Sequence, residues 1–130
     1  MTAMTENELL DWENRLAEEE NHSVKSCDFA EFIWSGQVSE EQQIRLLESP
    51  HMLVRQAIAW AISDWGRDGR PMRRLFEIGP TDPNPRVRVY ALWGIQQSPV
   101  LSKDQKLKFL HEFSTDDDEN VIGLVRTFSI

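Results

Sequence analysis

The chain has 130 residues, 40% of them hydrophobic, and it contains five tryptophans. This composition supports one ordinary hydrophobic core rather than two, so we expect a single domain spanning residues 1–130. The formal net charge of −8 argues against general affinity for nucleic acids or anionic membranes, because both are polyanions, and it favours a basic partner.

The single cysteine, Cys27, excludes an internal disulfide framework. The N-terminal sequence lacks the apolar run of a secretory signal peptide, and no stretch contains the roughly 18–20 consecutive apolar residues that cross a bilayer. We therefore expect a cytoplasmic protein that does not enter a membrane.

Eight helices are predicted, and no segment shows the alternating pattern of a strand. In chain order they lie near residues 5–20, 26–35, 39–48, 51–65, 70–78, 85–97, 102–113 and 117–128. The first begins at a capping box, in which the side chains of Thr5 and Glu8 each bond the other's backbone amide. Gly36 marks the end of the second. Residues 1–50 contain twelve acidic and three basic side chains and so form an acidic block.

The third and fourth helices are indicated by capping signals and by apolar spacing. Ser39-x-x-Gln42 is a second capping box, and Ser49-Pro50 places a cap residue beside a proline that suits a first helical turn. Gly66 follows the fourth helix, whose apolar residues have the 3, 4, 7 spacing of one buried stripe. This stripe is formed by Val54, Ala57, Ile58, Ala61, Ile62 and Trp65.

The last four helices have similar start and stop signals. Residues 68–71 (Asp-Gly-Arg-Pro) and Asn84-Pro85 each put a cap residue near a proline, and Gly79 falls where the fifth helix should stop. Ser102-x-x-Gln105 is a third capping box and opens the seventh helix. Residues 51–100 hold seven arginines against four acidic residues, so the middle of the chain is mildly basic.

The fourth and sixth helices repeat one pattern at a constant offset along the chain. The residues Val54, Arg55, Trp60 and Ile62 recur, with the same offset for each, as Val87, Arg88, Trp93 and Ile95. Self-similarity at a period of this length is typical of stacked helical repeats, each too small to bury its own apolar face.

Residues 82–95, Asp-Pro-Asn-Pro-Arg-Val-Arg followed by Val-Tyr-Ala-Leu-Trp-Gly-Ile, resemble the second helix of a HEAT repeat. In this segment Asp82 stands six positions before Arg88, as the family requires. The preceding unit, residues 49–65, is similar, but it has Ser49 where the family usually places the aspartate of a ladder of Asp–Arg contacts between repeats.

A third, degraded unit is predicted from Asn120 and Val125-Arg126, which keep the six-residue spacing, although Val121 follows Val87 at an offset one position longer than that between Val54 and Val87. The resemblance implies an all-α fold. We expect a short HEAT-like α-solenoid of antiparallel helix pairs over residues 39–130, with residues 1–38 as an atypical helical cap.

The resemblance also gives Trp60 and Trp93 two interpretations, because this helix position is usually polar and exposed in the family. One is packing, of the two rings on each other or under the N-terminal segment. The other is binding, since second helices of such solenoids line the concave surface and tryptophan is enriched in interface hot spots. The binding interpretation predicts two adjoining rows of a groove, formed by Gln56, Trp60 and Asp64 and by Val89, Trp93 and Gln97.

The function predicted from these features is a non-enzymatic protein-binding module that covers a basic surface of another protein. Its most concrete form is an acidic immunity or antitoxin-type inhibitor that masks the cationic active site of a nuclease toxin domain, by analogy with small acidic inhibitors. The carboxylates expected to meet the partner are Glu18, Glu19, Glu20, Glu40 and Glu41 and the run Asp116, Asp117, Asp118 and Glu119.

Two alternatives remain open on the sequence alone. Some HEAT-like proteins resemble DNA glycosylases with a basic concave face, and here an arginine cluster could contact phosphates while Trp60 stacks on a base. The cluster comprises Arg67, Arg70, Arg73 and Arg74, whereas Arg55 and Arg88 are expected to pack between repeats. The other alternative is a scaffold or accessory subunit of a larger HEAT assembly.

No motif for catalysis, a metal or a cofactor is recognised. His22, His51 and His111 are isolated, and the chain has no HExxH, CxxC, GxSxG or phosphate-binding glycine loop. Asp116-x-Asp118-x-Asn120 begins like a calcium loop, but valine replaces its required glycine and threonine its glutamate. We expect these acids to favour a helix N-terminus instead.

Overall fold

The structure is a computed structural model that describes residues 2–18 and 24–128, apart from the side chains of residues 24 and 25. Within these ranges the fold is all-α, with no strand. The helices are α1 (Glu6–Ala17), α2 (Val24–Trp34), α3 (Glu40–Leu47), α4 (Met52–Trp65), α5 (Arg70–Ile78), α6 (Pro85–Gln97), α7 (Lys103–His111) and α8 (Glu119–Arg126), with a 3₁₀ turn at Gly79–Thr81. All eight predicted helices are present in the described residues, whereas residues 19 and 20, which the first prediction included, lie outside them.

Capping explains why α1, α3 and α7 begin where they do. All three predicted capping boxes form, and they start at Thr5, Ser39 and Ser102. Asn84 caps α6 through its side-chain oxygen, which accepts from the amide of Arg86. Local sequence therefore sets these helix starts.

Replacing Ser39 with alanine is expected to cost about 1 kcal/mol of folding free energy, as the loss of a helix cap usually does. Its Oγ accepts from the amide of Gln42 at 3.1 Å, and the Gln42 side chain bonds the Ser39 amide and the carbonyl of Met4. Urea unfolding followed by circular dichroism measures the change. Ser114→Ala, an exposed serine outside any cap, is the matched control, and equal stability of the two variants would count against the cap.

Glycines end three helices in two different ways. Gly36 and Gly66 have φ angles of +81° and +67°, the left-handed conformation that releases a chain from a helix. Gly79 ends α5 at the predicted place, but its φ of −60° is ordinary. A Cβ at Gly79 would lie 2.5 Å from the Cβ of Ala91, so glycine is needed there for the close approach of α6.

One hydrophobic cluster includes residues from both ends of the described chain. Helix α4 packs against α1, α2, α3, α5 and α6, and α6 packs in turn against α5, α7 and α8. The predicted core positions Val54, Ile58, Ala61 and Ile62 are buried, as expected. None of the helices in the described part has the length and apolar character needed to cross a bilayer.

Arginines link the repeated units from the inside. Arg55 of α4 donates to both carboxylate oxygens of Asp82, at 2.9 and 3.2 Å, and to the carbonyl of Ser49 at 3.0 Å. Arg88 of α6 bonds both oxygens of Asp116 in the same way, at 2.8 and 3.2 Å. Both arginines therefore bond an aspartate that lies later in the chain, and Arg55 also bonds the carbonyl of Ser49.

These contacts indicate a register for the predicted third unit. Asp116 is equivalent to Asp82, and the buried Val121 is equivalent to Val87. Val121 therefore follows Val87 at an offset that is one position longer than the offset from Val54 to Val87. The segment before α8 is longer by this one residue. This register matches the longer offset noted for Val121 and differs from the spacing of Asn120 and Arg126. The arginine position of this last unit is occupied by Ile122.

Candidate functional site

Helices α4, α6 and α8 form an open groove of about 760 Å³. This volume lies in the range of sites that hold small molecules or partner side chains. The groove, called the Trp93 groove below, is lined by Trp60, Ser63 and Asp64 of α4, by Arg86, Val89, Tyr90 and Trp93 of α6, and by Glu119, Asn120, Gly123, Leu124 and Thr127 in and after α8.

Helix α6 presents one face to the core and another to the groove. Residues 87, 91, 92 and 95 are buried, whereas residues 86, 89, 90 and 93 follow the three- and four-residue spacing of a second face. Trp93 is 42% exposed on this second face. A tryptophan exposed to this extent keeps much apolar area available for a contact.

Trp60 packs against α2 and also lines the groove. Its ring centroid lies 5.8 Å from that of Trp34, whose indole N–H donates to the carbonyl of Ala61 at 3.0 Å. Trp60 is half-buried, because its ring packs on Trp34 and also lines the groove. The ring of Trp93 is the more exposed of the two.

The structure brings together four of the six predicted groove residues. Trp60, Asp64, Val89 and Trp93 line the Trp93 groove. Gln97 is exposed but borders a separate, smaller cleft near Gly94.

Gln56 corrects the prediction, because it is only 7% exposed and takes no part in the groove. Its Oε1 accepts from the Nδ2 of Asn84 at 3.0 Å. The side chain that caps α6 thus holds Gln56 between α4 and α6. A polar residue on a helix face expected to be open is here satisfied inside the protein.

The acidic candidates on α3 do not belong to the groove. Glu40 and Glu41 extend toward Arg70 of α5 and form ion pairs with it. Hydrogen bonds from the Glu41 amide and from Arg70 lower the pKa of the Glu41 carboxyl. Glu18 is exposed at the end of α1 and does not line the groove, and Glu19 and Glu20 lie outside the described residues.

The acidic run before α8 divides into different roles. Asp116 is a further correction, because its side chain is 8% exposed and held by Arg88. Asp118 caps α8 by accepting from the amides of Asn120 and Val121, which confirms the expected helix N-terminus. Asp117 is exposed, and Glu119 lines the groove.

The central arginines are engaged with carboxylates or with an aromatic ring. Arg73 pairs with Asp68, and Arg74 with Glu48 and Glu77. Arg67 lies over the ring of Trp65, at 4.7 Å from its centroid. Among the described residues, none of the four clustered arginines lines the Trp93 groove, so the phosphate-binding alternative has no support from their positions.

Sequence reasoning missed the third wall of the groove. Leu124 and Thr127 follow Tyr90 and Trp93 at the same offset by which Val121 follows Val87, so this longer offset would have identified them. The sequence repeat did not point to Tyr90, because the equivalent position of α4 has no aromatic residue. Burial raises the pKa of the Tyr90 phenol, although Arg86 opposes the shift, and the phenol stays neutral at physiological pH.

No group of three or more metal-binding side chains is found in residues 2–18 and 24–128. Comparison of the chain with protein-family models, with curated proteins and with solved structures gave no significant match. The lining of the groove combines apolar surface at Trp60, Val89 and Trp93 with the charged side chains of Asp64, Arg86 and Glu119.

Proposed function

We propose that the chain is a non-enzymatic protein-binding module that docks a basic partner in the Trp93 groove. The observation that carries the proposal is Trp93, 42% exposed in an open groove to which three helices contribute. Exposed tryptophans in concave surfaces bury a large area for little loss of side-chain freedom, and they dominate many interfaces.

In the proposed architecture the chain is a HEAT-like α-solenoid of antiparallel helix pairs, with α1 and α2 as a cap. Support comes from the nearly constant offset between the units, from the serial packing of α4, α6 and α8, and from the two arginine–aspartate contacts that link successive units. Stacked helices of this kind form an extended surface, which repeat proteins use for binding.

The charge of the groove favours a cationic partner. Asp64 and Glu119 place two carboxylates in the lining, against one guanidinium from Arg86, and the whole chain carries −8. A negative surface speeds the encounter with a basic protein and disfavours acidic ones.

The concrete form of the proposal remains an immunity or antitoxin-type inhibitor, acting in the cytoplasm, that covers the basic surface of a toxin domain. The contact is now assigned to the Trp93 groove and to the nearby acids Asp117 and Glu119. Glu40 and Glu41 are removed from it, because their carboxylates are engaged by Arg70.

Trp93→Ala is expected to weaken binding of the captured partner by about tenfold or more, as loss of a hot-spot tryptophan does. The partner is isolated on the immobilised full chain from an extract of the source cells, and its affinity is measured by calorimetry. Binding should also weaken as salt rises from about 50 to 500 mM.

Leu107→Ala is the matched control, because Leu107 is an apolar side chain on α7 with 45% exposure, outside the groove lining. We expect this variant to bind within about twofold of the wild-type chain, since scattered surface apolar residues rarely carry affinity. A partner that binds Trp93→Ala as tightly as Leu107→Ala would refute the proposed docking site.

A further inference from the structure

Four of the five tryptophans have their rings covered by aromatic or guanidinium groups of the same chain. Trp34 and Trp60 pack on each other at 5.8 Å, Trp12 contacts Phe29, Phe32 and Arg15, and Trp65 carries Arg67. Within the described part of the chain, Trp93 has no ring or guanidinium partner. Two arginines of the chain thus lie over indole rings, whereas the indole of Trp93 is exposed.

The carboxylates of the groove differ from those that face α5. Exposed acids in α3 and directly after it are paired with arginines of α5. Asp64 and Glu119 are exposed, and among the described residues neither forms an ion pair. Two negative charges in the groove therefore have no nearby counter-ion within 4 Å in the described chain.

Asp64 and Trp93 both line the groove, and each is next in sequence to a residue at which α4 and α6 approach closely. A Cβ at Gly94 would lie 3.7 Å from the Cβ of Ser63, so the main chain of α6 beside Trp93 runs close to the residue that precedes Asp64. Arg86 stands two helical turns before Trp93 on α6, about 10 Å away along the axis, beside Tyr90. The main chain that carries the positive charge of the groove therefore lies two turns from Trp93.

We infer that the partner inserts an arginine side chain into the groove, with its guanidinium stacked on Trp93 and hydrogen-bonded to Asp64. This inference rests on the proposed docking function and names the group that is recognised. A guanidinium is planar and weakly hydrated, so it can cover an indole face while its edge donates to a carboxylate. Its methylene chain would pack on Val89 and Leu124, the apolar lining beside Trp93.

The test uses two short peptides and the full chain. One probe is acetyl-Ala-Leu-Arg-Leu-Ala-amide, and the other has citrulline in place of arginine, which keeps the shape and removes the charge. Proton–nitrogen correlation spectra report the indole N–H of Trp93, assigned with Trp93→Phe. We expect the arginine peptide to shift this signal and to bind about threefold to tenfold more tightly than the citrulline peptide.

Asp64→Asn should remove most of the preference for arginine, whereas Asp104→Asn, a change of an exposed acid on α7, should leave it intact. Equal binding of the two peptides at Trp93 would overturn the arginine inference while the docking groove stands. Absence of any Trp93 shift at about 10 mM peptide, a concentration that detects millimolar affinity, would overturn it as well. The docking proposal itself is tested separately, by the affinity of the captured partner for the Trp93→Ala variant.

Discussion

Asp82→Ala is expected to lower the free energy of unfolding by about 3–5 kcal/mol, the usual cost of removing one partner of a buried ion pair. Asp82 accepts two bonds from Arg55, whose side chain is 16% exposed, and a third from the Asn84 amide at 2.8 Å. Without the carboxylate, a largely buried guanidinium loses its counter-ion and α6 loses part of its N-terminal support. Denaturant unfolding monitored by circular dichroism gives the magnitude.

Glu41→Ala is the matched comparison, because Glu41 also pairs with an arginine but is 73% exposed. Exposed pairs contribute about 0–1 kcal/mol, since water screens them. If Asp82→Ala and Glu41→Ala proved equally mild, the contacts between units would have no special role. Asp116→Ala should resemble Asp82→Ala, because its contact with Arg88 has the same geometry.

Gly79→Ala is expected to destabilise the fold by about 2–3 kcal/mol, near the upper end of the usual cost of overpacking. The backbone at Gly79 suits alanine, so the cost is steric: the new methyl group would lie 2.5 Å from the Cβ of Ala91. Neither atom can rotate away, because both are attached directly to the main chain. The segment after α5 must therefore move away from α6, and calorimetric melting measures the consequence.

Two further variants separate crowding from a general effect of adding a methyl group. Gly123→Ala, in α8, has no neighbour within 4 Å of the new atom, and it should stabilise the helix by about 0.5–1 kcal/mol. Ala91→Gly combined with Gly79→Ala should recover part of the loss. A Gly79→Ala protein as stable as the wild type would show that α6 is not closely packed there.

The helices were predictable because their signals are local. A capping box such as Ser39 with Gln42 satisfies its own backbone amides, and the stripe along α4 requires no knowledge of its neighbours. The same holds for Gly66, whose left-handed conformation ends α4 whatever lies beyond it.

Only part of the groove was predictable, because the rest depends on contacts between distant segments. Periodicity located Trp60 and Trp93, but it could not show that Asn84 reaches across to Gln56 and buries it. Nor could charge runs show that Glu41 is held by Arg70. A net charge describes the whole molecule, whereas the carboxylates open to a partner depend on which arginines lie beside them.

In both arginine–aspartate contacts the aspartate lies later in the chain than the arginine. The two ends of the molecule therefore differ in how these contacts depend on them. Arg55 pairs with Asp82 and Arg88 pairs with Asp116, so each arginine bonds a carboxylate that lies later in the chain. The equivalent residue of the last unit is Ile122, which needs no counter-ion. Loosening of the segment before α8, which holds Asp116, would therefore remove a counter-ion from α6, whereas loosening of α1 leaves both guanidinium groups paired. Because α8 follows this segment and is also a wall of the groove, a ligand bound there would hold this end of the molecule in place, and occupancy and resistance to unfolding would rise together.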